Sequence, residues 1–381
     1  MYRIYANGQL LSPFSDGIYT HRVLSPEAKL DLNAINSMTF DISSQHPMFS
    51  ALQHRTTYIT VKDDAEELFR GRIVEDESDF YNTGEVFVEH ETAFFKDSIH
   101  RPFVHKGTVS GLFSALVANH NAQLDEARQF AVGLCTVTPS GGTDYIERST
   151  KEAKHTWNLF MSELVEQLGG YIRTRLESGV RYVDYVADYG ELPEQPVKFK
   201  ENLLDLVKAK VSSAVVTCLI PYGAEFKKED AGYEEAPESG IWDGNRLTIR
   251  AVNGGLDYVT SSTGIAQYGQ IWGSQVFDDV TAATDLKALG QAAVDAAAAP
   301  EISITAKVID LHLVDPDVPR LKLGYRVPVF STLHDINMQL MISHQKLRFD
   351  VPDDDEVTLG VSYKTLTGMQ AKTNQSLESR R

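Results

Sequence analysis

The sequence predicts an α+β chain that is mainly β, in which two related small β-barrel modules flank helix-containing α+β domains. Two observations support this fold class. Both ends of the chain contain short alternating strands separated by clusters of Gly, Pro, Asn and Asp, a spacing typical of barrels and sandwiches. The stretch between them carries apolar residues at helical spacing. With 381 residues, the chain is long enough for several domains.

Residues 1–97 are predicted to form the first β-barrel module. The chain starts with a hairpin, because Asn7-Gly8 supplies the positive φ angles of a type I′ turn. Period-two alternation and polar turns, the last at Asn82-Thr-Gly84, then define a series of short strands. These strands are Leu30–Leu32, Ser37–Ile42, Tyr58–Val61, Leu68–Ile73 and Glu85–Val88.

One of these strands, Phe69-Arg-Gly-Arg-Ile73, has a glycine in its interior. Glycine in a strand often marks a bulge or a close approach of backbone. Arg70 and Arg72 lie two residues apart and therefore point to the same side. They are suited either to an acidic neighbour or to the solvent face of an amphipathic strand.

Residues 98–200 are predicted to form an α+β domain with two helices against a small sheet. Five apolar residues share one face of the first helix, which Thr108 or Ser110 could cap. These are Val109, Leu112, Phe113, Leu116 and Val117. The second helix starts near Thr156, presents Trp157, Phe160, Met161, Leu164 and Leu168 on one face, and stops at Gly169-Gly170. A hairpin follows, with strands Tyr171–Arg175 and Val180–Tyr185 joined through Ser178-Gly179.

Residues 201–300 form a mixed segment. It starts with apolar stretches at Glu201–Leu206 and Thr217–Ala224, contains an acidic stretch at 225–238 that is predicted to be a solvated loop, and ends in an Ala-rich helix from Thr284 to Ala299 before Pro300. Residues 366–381 are expected to be a polar tail, disordered from Gln370 onward.

Residues 301–365 are predicted to form the second β-barrel module, with the strand and turn order of the first. Its strands are Glu301–Val308, Arg326–Phe330, Met338–Ser343 and Glu356–Gly360. Tyr58 and Val88 are 30 positions apart, and so are Val327 and Val357. The similarity rests on strand order and spacing, not on identical residues. Two such modules per chain would give a trimer six similar units around one axis.

Composition limits the function classes. The net charge of −17 argues against a sequence-reading nucleic-acid binder, which needs cationic side chains to displace the counterions of phosphate. It fits a surface that DNA passes without sticking, and equally a merely solvated surface. Cys135 and Cys218 are expected to be buried free thiols. We find no apolar run long enough for a membrane helix and no signal peptide.

Candidate chemistry is sparse, and we expect no catalytic, cofactor-binding or metal-binding residues. His90-Glu91 lacks the second histidine of a zinc helix, because Phe94 occupies that position. His100 and His105 show no ligand spacing. The acidic runs Asp353–Glu356 and Glu75–Glu77 with Asp79 follow strands and are predicted to be charged turns, without the alternate ligands and central glycine of an EF-hand. A glycosidase-type carboxylate pair stays open, since the chain has 53 acidic residues.

Seven short motifs fall in the order seen in phage tail hub proteins. They are Leu68–Ile73, His90–Phe95, Leu168–Tyr171, Glu201–Leu206, Pro221–Ala224, Gly255–Tyr258 and Phe277–Val280. With them the chain resembles, over residues 20–365, the tail-associated (endopeptidase-tail) proteins of siphophages and prophages. That family is similar in fold to the baseplate hub of contractile-tailed phages.

The resemblance implies a homotrimer in the virion, at the distal end of the phage tail, made in the cytoplasm of the bacterial host. Two barrels per protomer would match a hexameric tail tube. The expected partners are the distal tail protein ring and other tail or baseplate proteins, with the tape-measure protein a further candidate. DNA would pass without specific binding. The family's peptidase activity lies in a C-terminal extension, so this chain is expected to be structural and not an enzyme.

Two alternatives stay open at this stage. One is a peptidoglycan hydrolase or endopeptidase acting at the tail tip. The other is the hub of a contractile injection system or tailocin.

Overall fold

The computed structural model describes residues 2–13, 21–64, 66–78, 83–139, 144–211, 214–225, 242–243, 246–298 and 301–360. The molecule is mainly β, and the predicted fold class is confirmed. A curled 13-stranded sheet contains strands from both ends of the chain, and smaller sheets and helices pack between and beside its two halves. The predicted turn at Asn82, the acidic loop after Glu225, Pro300 and the tail fall outside the described residues.

The first module consists of seven strands. They are β1 (Tyr2–Ala6), β2 (Gln9–Pro13), β3 (Leu24–Asp31), β4 (Ser37–Ser43), β5 (Tyr58–Asp63), β6 (Glu66–Ser78) and β7 (Thr83–His90). Their order in the sheet is β3-β4-β7-β6-β5-β1-β2. The predicted hairpin is confirmed, with Asn7 at φ 48° and Gly8 at φ 81°. Short 3-10 turns lie at Phe49–Ala51 and Glu91–Lys96. The inward-facing apolar side chains, among them Phe40 and Ile73, form a dry core.

The central unit is α+β, as predicted. Its strands are β8 (Ile99–His100), β9 (Phe103–Gly107), β10 (Ala131–Cys135), β11 (Ile146–Thr150), β12 (Lys154–His155), β13 (Tyr171–Glu177) and β14 (Val180–Val186). Its helices are α1 (Val109–Asn121), α2 (Thr156–Leu159), a π-helical turn (Phe160–Val165) and α3 (Glu166–Leu168), with a 3-10 turn at Glu126–Arg128. Both predicted helices pack on the sheet β10-β14-β13.

The helix signals in this unit are confirmed in detail. All five predicted apolar residues of α1 are buried. The Thr108 hydroxyl, not that of Ser110, caps the helix by accepting from the Gly111 amide at 3.0 Å. Gly169 ends the second helical stretch at φ 74°. The sequence did not predict β10, which pairs with β14 in parallel, because its alternation is masked by glycine.

The second module begins with β15 (Val197–Lys198) and β16 (Leu203–Val211), and an inserted unit then interrupts it. The insertion contains β17 (Cys218–Tyr222), β18 (Trp242–Asp243), β19 (Arg246–Leu247), β20 (Val259–Thr260), β21 (Trp272–Val276), a 3-10 turn (Arg250–Val252), and helices α4 (Ser262–Tyr268) and α5 (Ala283–Ala297). The predicted Ala-rich helix is thus confirmed. It packs on β17 and β20 around its own small core.

The module resumes with β22 (Glu301–Val308), β23 (Arg326–Ser331), β24 (Ile336–Arg348) and β25 (Glu356–Gly360), with 3-10 turns at Leu311–Leu313, Thr332–His334 and Pro352–Asp354. All four predicted strands of this region are present. The order is β16-β22-β25-β24, and β23 joins β24 to β15.

The two modules have one topology. In the sheet, the path β3-β4-β7-β6-β5-β1 corresponds to β16-β22-β25-β24-β23-β15, and chain order is preserved in the correspondence. Both middle strands, β6 and β24, contain 13 residues. The one difference in direction is at the end, where β1 pairs with β5 antiparallel and β15 pairs with β23 in parallel. The predicted strand order of the two modules is therefore confirmed, in sheets curled as half-barrels.

The two free cysteines differ. Cys218 is buried as predicted, whereas Cys135 is only partly buried. The prediction for Cys135 was wrong because β10 lies at the edge of its sheet, where one side stays open. Partial burial still raises the pKa of the Cys135 thiol to about 11, helped by the nearby Asp144 carboxylate.

Candidate functional site

Within the described residues, no group of three or more His, Cys, Asp or Glu side chains could hold a metal ion. His90 ends strand β7, and its Nδ1 lies 3.1 Å from the Thr92 hydroxyl. The neighbouring Glu91 is bound by arginines and is not free to act as a base. The His90-Glu91 pair is therefore part of the framework.

Two serine–histidine contacts resemble parts of a hydrolase. The Ser98 hydroxyl lies 2.7 Å from His120 Nδ1, but both residues have no exposed surface, and His120 Nε2 already contacts the Arg128 carbonyl. The Ser331 hydroxyl lies 2.7 Å from His334 Nδ1 within a single turn. Ser98 and His120 are out of reach of a substrate, and their hydrogen bonds satisfy buried polar atoms.

The arginines of β6 bind acidic neighbours, which was one of the two predicted roles. Arg70 donates to Glu91 at 3.0 Å. Arg72, only 2% exposed, binds Asp97 with both terminal nitrogens. Burial would raise the pKa of Glu91, but Arg181, His90 and Arg70 together hold that pKa below its usual range. Arg181 of the central unit binds Glu91 at 2.8 Å, and Arg70 donates to the Ala127 carbonyl at 2.8 Å, so this cluster joins the first module to the central unit.

Gly71 lies between these arginines, and only glycine fits there. A Cβ at this position would lie 2.1 Å from the Glu89 carbonyl oxygen of the paired strand. The predicted close backbone approach is therefore confirmed.

A second ionic cluster joins the two strand modules. Arg320, which is 7% exposed, donates to the Tyr2 hydroxyl at 3.0 Å and to the Asp63 carboxylate of the first module. It also lies 4.0 Å from Asp310 of the second module. Burial raises the pKa of Tyr2 to about 12, so its hydroxyl stays protonated. Sequence reasoning missed Arg320, because its partners in the first module lie more than 250 positions away.

Asp355 belongs to the acidic run that we predicted to be an open charged turn, and at this residue the prediction was wrong. The turn exists at Pro352–Asp354, but Asp355 is only 6% exposed and accepts from the Arg348 amide at 2.6 Å. Burial raises the pKa of Asp355 to about 7, and the Asp310 carboxylate adds to the effect. One carboxyl of the run is thus a structural acceptor inside the fold, while Asp354 pairs with Lys307 at 3.1 Å.

The modules are also joined by backbone pairing. Strand β3 of the first module pairs antiparallel with residues 344–348 of β24. Lys346 lies 3.1 Å from Glu27, and His344 lies 2.9 Å from Asp31. Phe349, just past β24, is buried in the core of the first module, with its ring 5.3 Å from that of Tyr2. The two modules therefore share one continuous sheet and a shared core contact.

These arrangements are suited to assembly more than to reaction chemistry. Buried ion pairs and shared strands fix the relative position of the two modules. None of the described helices is long and apolar enough to cross a bilayer. The two equivalent modules and the edges of their sheets are the features best suited to a function in assembly.

The comparisons with known proteins agree with this description. Three solved structures have a similar overall fold. Prophage tail protein gp18 of Listeria monocytogenes is 13% identical, with a TM-score of 0.55 over 99% of both chains. The 43 kDa tail protein of prophage MuSo2 of Shewanella oneidensis is 12% identical, with a TM-score of 0.61 over 96% of this chain and 99% of that chain. The tail protein of Neisseria meningitidis MC58 is 12% identical, with a TM-score of 0.59 over 97% of this chain and 99% of that chain. No curated protein matches the chain in sequence.

The sequence itself matches one family model. Residues 195–370, which span the second module and its insertion, match the family described as prophage endopeptidase tail. This part of the chain is similar to that family, and the three structures share the fold of the chain as a whole. The predicted resemblance is confirmed. The matched region contains β24 and Arg320, which take part in the junction described above.

Proposed function

We propose that this chain is a prophage tail protein and a structural hub at the distal end of the tail, assembled as a homotrimer through which DNA passes on infection. The observation that supports this most is the pair of half-barrels with one topology in a single chain. Three chains would place six such units around an axis, which matches a hexameric tube. The ring of distal tail protein is the proposed neighbour.

The mass in solution tests the trimer. Light scattering at tens of micromolar should give about 127 kDa, the mass of three chains of 42.4 kDa. A stable monomer at that concentration would overturn the hub proposal.

The passage of DNA calls for a surface that does not retain phosphate. The net charge of −17 supports this, since each lysine or arginine contact to phosphate adds salt-sensitive affinity. Duplex DNA should fail to bind in a gel-shift assay at about 150 mM salt. Tight binding under those conditions would remove the passive conduit but not the trimer.

We further propose that the chain does not catalyse a reaction. Within the described residues, the serine–histidine contacts lack a reachable nucleophile with an acid-oriented base. Zymography on cell walls should show no cleared band. A cleared band from the purified protein would favour the alternative, a tail-tip peptidoglycan hydrolase.

A further inference from the structure

Inside the chain, β24 of the second module pairs with β3 of the first module. The equivalent position beside β6 of the first module has no partner strand among the described residues. On one edge, β24 pairs first with β23 and then, at residues 344–348, with β3. On the equivalent edge, β6 pairs with β5 up to Arg72. Among the described residues, no strand pairs with that edge of β6 further along. Likewise β16 pairs with β22 on one side, and no described strand covers its other side over residues 205–211.

The two middle strands can be aligned residue by residue. Ile73 on β6 precedes a register shift against β7, and Ile342 on β24 precedes a register shift against β25, the strand that corresponds to β7. Ile73 donates to the Thr57 carbonyl and accepts from the Arg55 amide, and Ile342 exchanges the same pair of bonds with Tyr325 and Gly324. Ile73 therefore corresponds to Ile342, and Ser78 corresponds to Leu347. Phe349 lies seven positions after Ile342. The residue seven positions after Ile73 is Phe80, which lies outside the described residues.

The edge strands can be aligned in the same way. Met38 of β4 pairs with Ala28 and Val88, and Ile304 of β22 pairs with Lys208 and Leu359. Ala28 of β3 therefore corresponds to Lys208 of β16. Since Leu347 pairs with Ala28 inside the chain, the equivalent contact brings Ser78 opposite Lys208 of a second copy.

We propose that β16 of one chain pairs antiparallel with the uncovered edge of β6 in the next chain, with Ser78 opposite Lys208, so that first and second modules alternate around the ring. This proposal rests on the trimer proposed above and names the surface that builds it. Each chain offers one edge of each kind, so the contact is head-to-tail and can close into a ring.

Charge complementarity supports the pairing. In the sequence, β6 carries Glu75-Asp-Glu77 along this stretch, and β16 carries Lys208 and Lys210. The alignment sets position 76 opposite position 210. Two apolar side chains on β16, Leu204 and Val207, are 54% and 61% exposed, which is unusual unless another surface covers them.

The contact inside the chain explains why the two kinds of module meet. There β24 already pairs with β3, with Arg348 opposite Glu27 and His344 opposite Asp31. The open edge of β6 is therefore left to β16, since β3, the equivalent strand of the first module, is already paired with β24.

A cysteine pair tests the predicted register. The double variant Ser78→Cys with Lys208→Cys should, after mild oxidation, become a covalent trimer on a non-reducing gel, a threefold increase in mass. Directly opposite residues of an antiparallel pair have Cα atoms about 4.5–5.5 Å apart, within the Cα separation that a disulfide spans, about 4.4–6.8 Å. The native thiols should stay silent, because Cys218 is buried and the pKa of Cys135 is raised to about 11.

Two controls make the result specific. The double variant Ala28→Cys with Leu347→Cys, the equivalent pair within one chain, should oxidise with no increase in mass. The variant Ser78→Cys with Val207→Cys shifts the register by one residue and should cross-link far less. If the protein is a trimer in solution but the Ser78→Cys, Lys208→Cys variant does not cross-link, the strand assignment is wrong and the trimer stands. A monomeric protein would overturn both.

Charge reversal tests the pairing of β6 with β16 independently. Asp76→Lys alone and Lys210→Asp alone should each shift the trimer toward monomer on dilution. The two together should restore assembly, because the opposite charges are exchanged. If the double variant dissociates as much as the single variants combined, the charges do not act as a pair and this part of the proposal fails.

Discussion

The first and second strand modules have the same topology but are stabilised differently. Their cores correspond position by position: Met38 and Phe40 on β4 occupy the places of Ile304 and Ala306 on β22, and all four are buried. Beyond the core they diverge. The middle strand of the first module carries Arg70, which donates to the Ala127 carbonyl of the central unit, whereas that of the second carries Lys346 and Arg348 next to β3. Strand order and burial are thus shared, and the exposed edges are where each module is specialised.

The largest loss of stability is expected at Arg320, which links the two modules. Arg320→Met removes the bonds to Tyr2 and Asp63 and leaves buried acidic groups without their cation. Loss of one partner of a buried ionic cluster typically costs about 3–5 kcal/mol, measured as the free energy of unfolding in urea. Lys322→Met is the matched control, since Lys322 binds the same Glu66 at 2.8 Å but is 47% exposed. It should cost at most about 1 kcal/mol.

A substitution at Gly71 should affect the first module alone, because the second module has no glycine at the aligned position of its middle strand. Gly71→Ala places a methyl group against the Glu89 backbone, and overpacking of this kind costs about 1–3 kcal/mol or more. In the second module the aligned residue is Leu340, which packs on the core. The control is Gly179→Ala, where φ is +80° but nothing lies within 4 Å; only the conformational strain of about 1 kcal/mol applies. Equal losses at the two glycines would contradict the close approach.

The buried Asp355 predicts a pH dependence that belongs to the second module. Its folded pKa of about 7 lies above the unfolded value, so the folded state binds the proton more tightly, and stability falls as pH rises from about 4 to 7. Asp355→Asn keeps an oxygen that accepts from the Arg348 amide and removes the ionisation. The variant should melt higher than the parent at pH 8 and close to it at pH 4, with a gain on the order of 1–3 kcal/mol at most. A gain that is the same at both pH values would exclude this cause.

The smallest effect is expected at the rim of the junction. Lys346→Gln removes a pair with Glu27 in which the lysine is 31% exposed, and such pairs contribute about 0.2–1 kcal/mol. The loss should shrink further at 1 M salt, where charges are screened within about 3 Å. A salt-independent loss would show that Lys346 acts by packing its aliphatic stem.

The sequence predicted what depends on local chemistry. The strands at both ends, the cap at Thr108, the stop at Gly169 and the turn at Asn7-Gly8 follow from alternation and backbone preferences, and the structure confirms them. Arg70 and Arg72 could be singled out because they flank a glycine in a strand. Arg320 and Asp355 could not, since their roles come from partners brought together by tertiary folding. For the same reason, the pairing of β3 with β24 has no signal in a single sequence.

The insertion between β16 and β22 has a consequence for how the protein is made. These two strands form one antiparallel pair, yet residues 212–300 separate them along the chain. The entropy of closing so long a loop is reduced once the inserted unit folds on its own core and brings its ends together. During synthesis, β16 has no partner until β22 leaves the ribosome, when about four-fifths of the chain exists. We therefore expect β16 to take its final position late, so that a chain cannot join its neighbours before it is nearly complete.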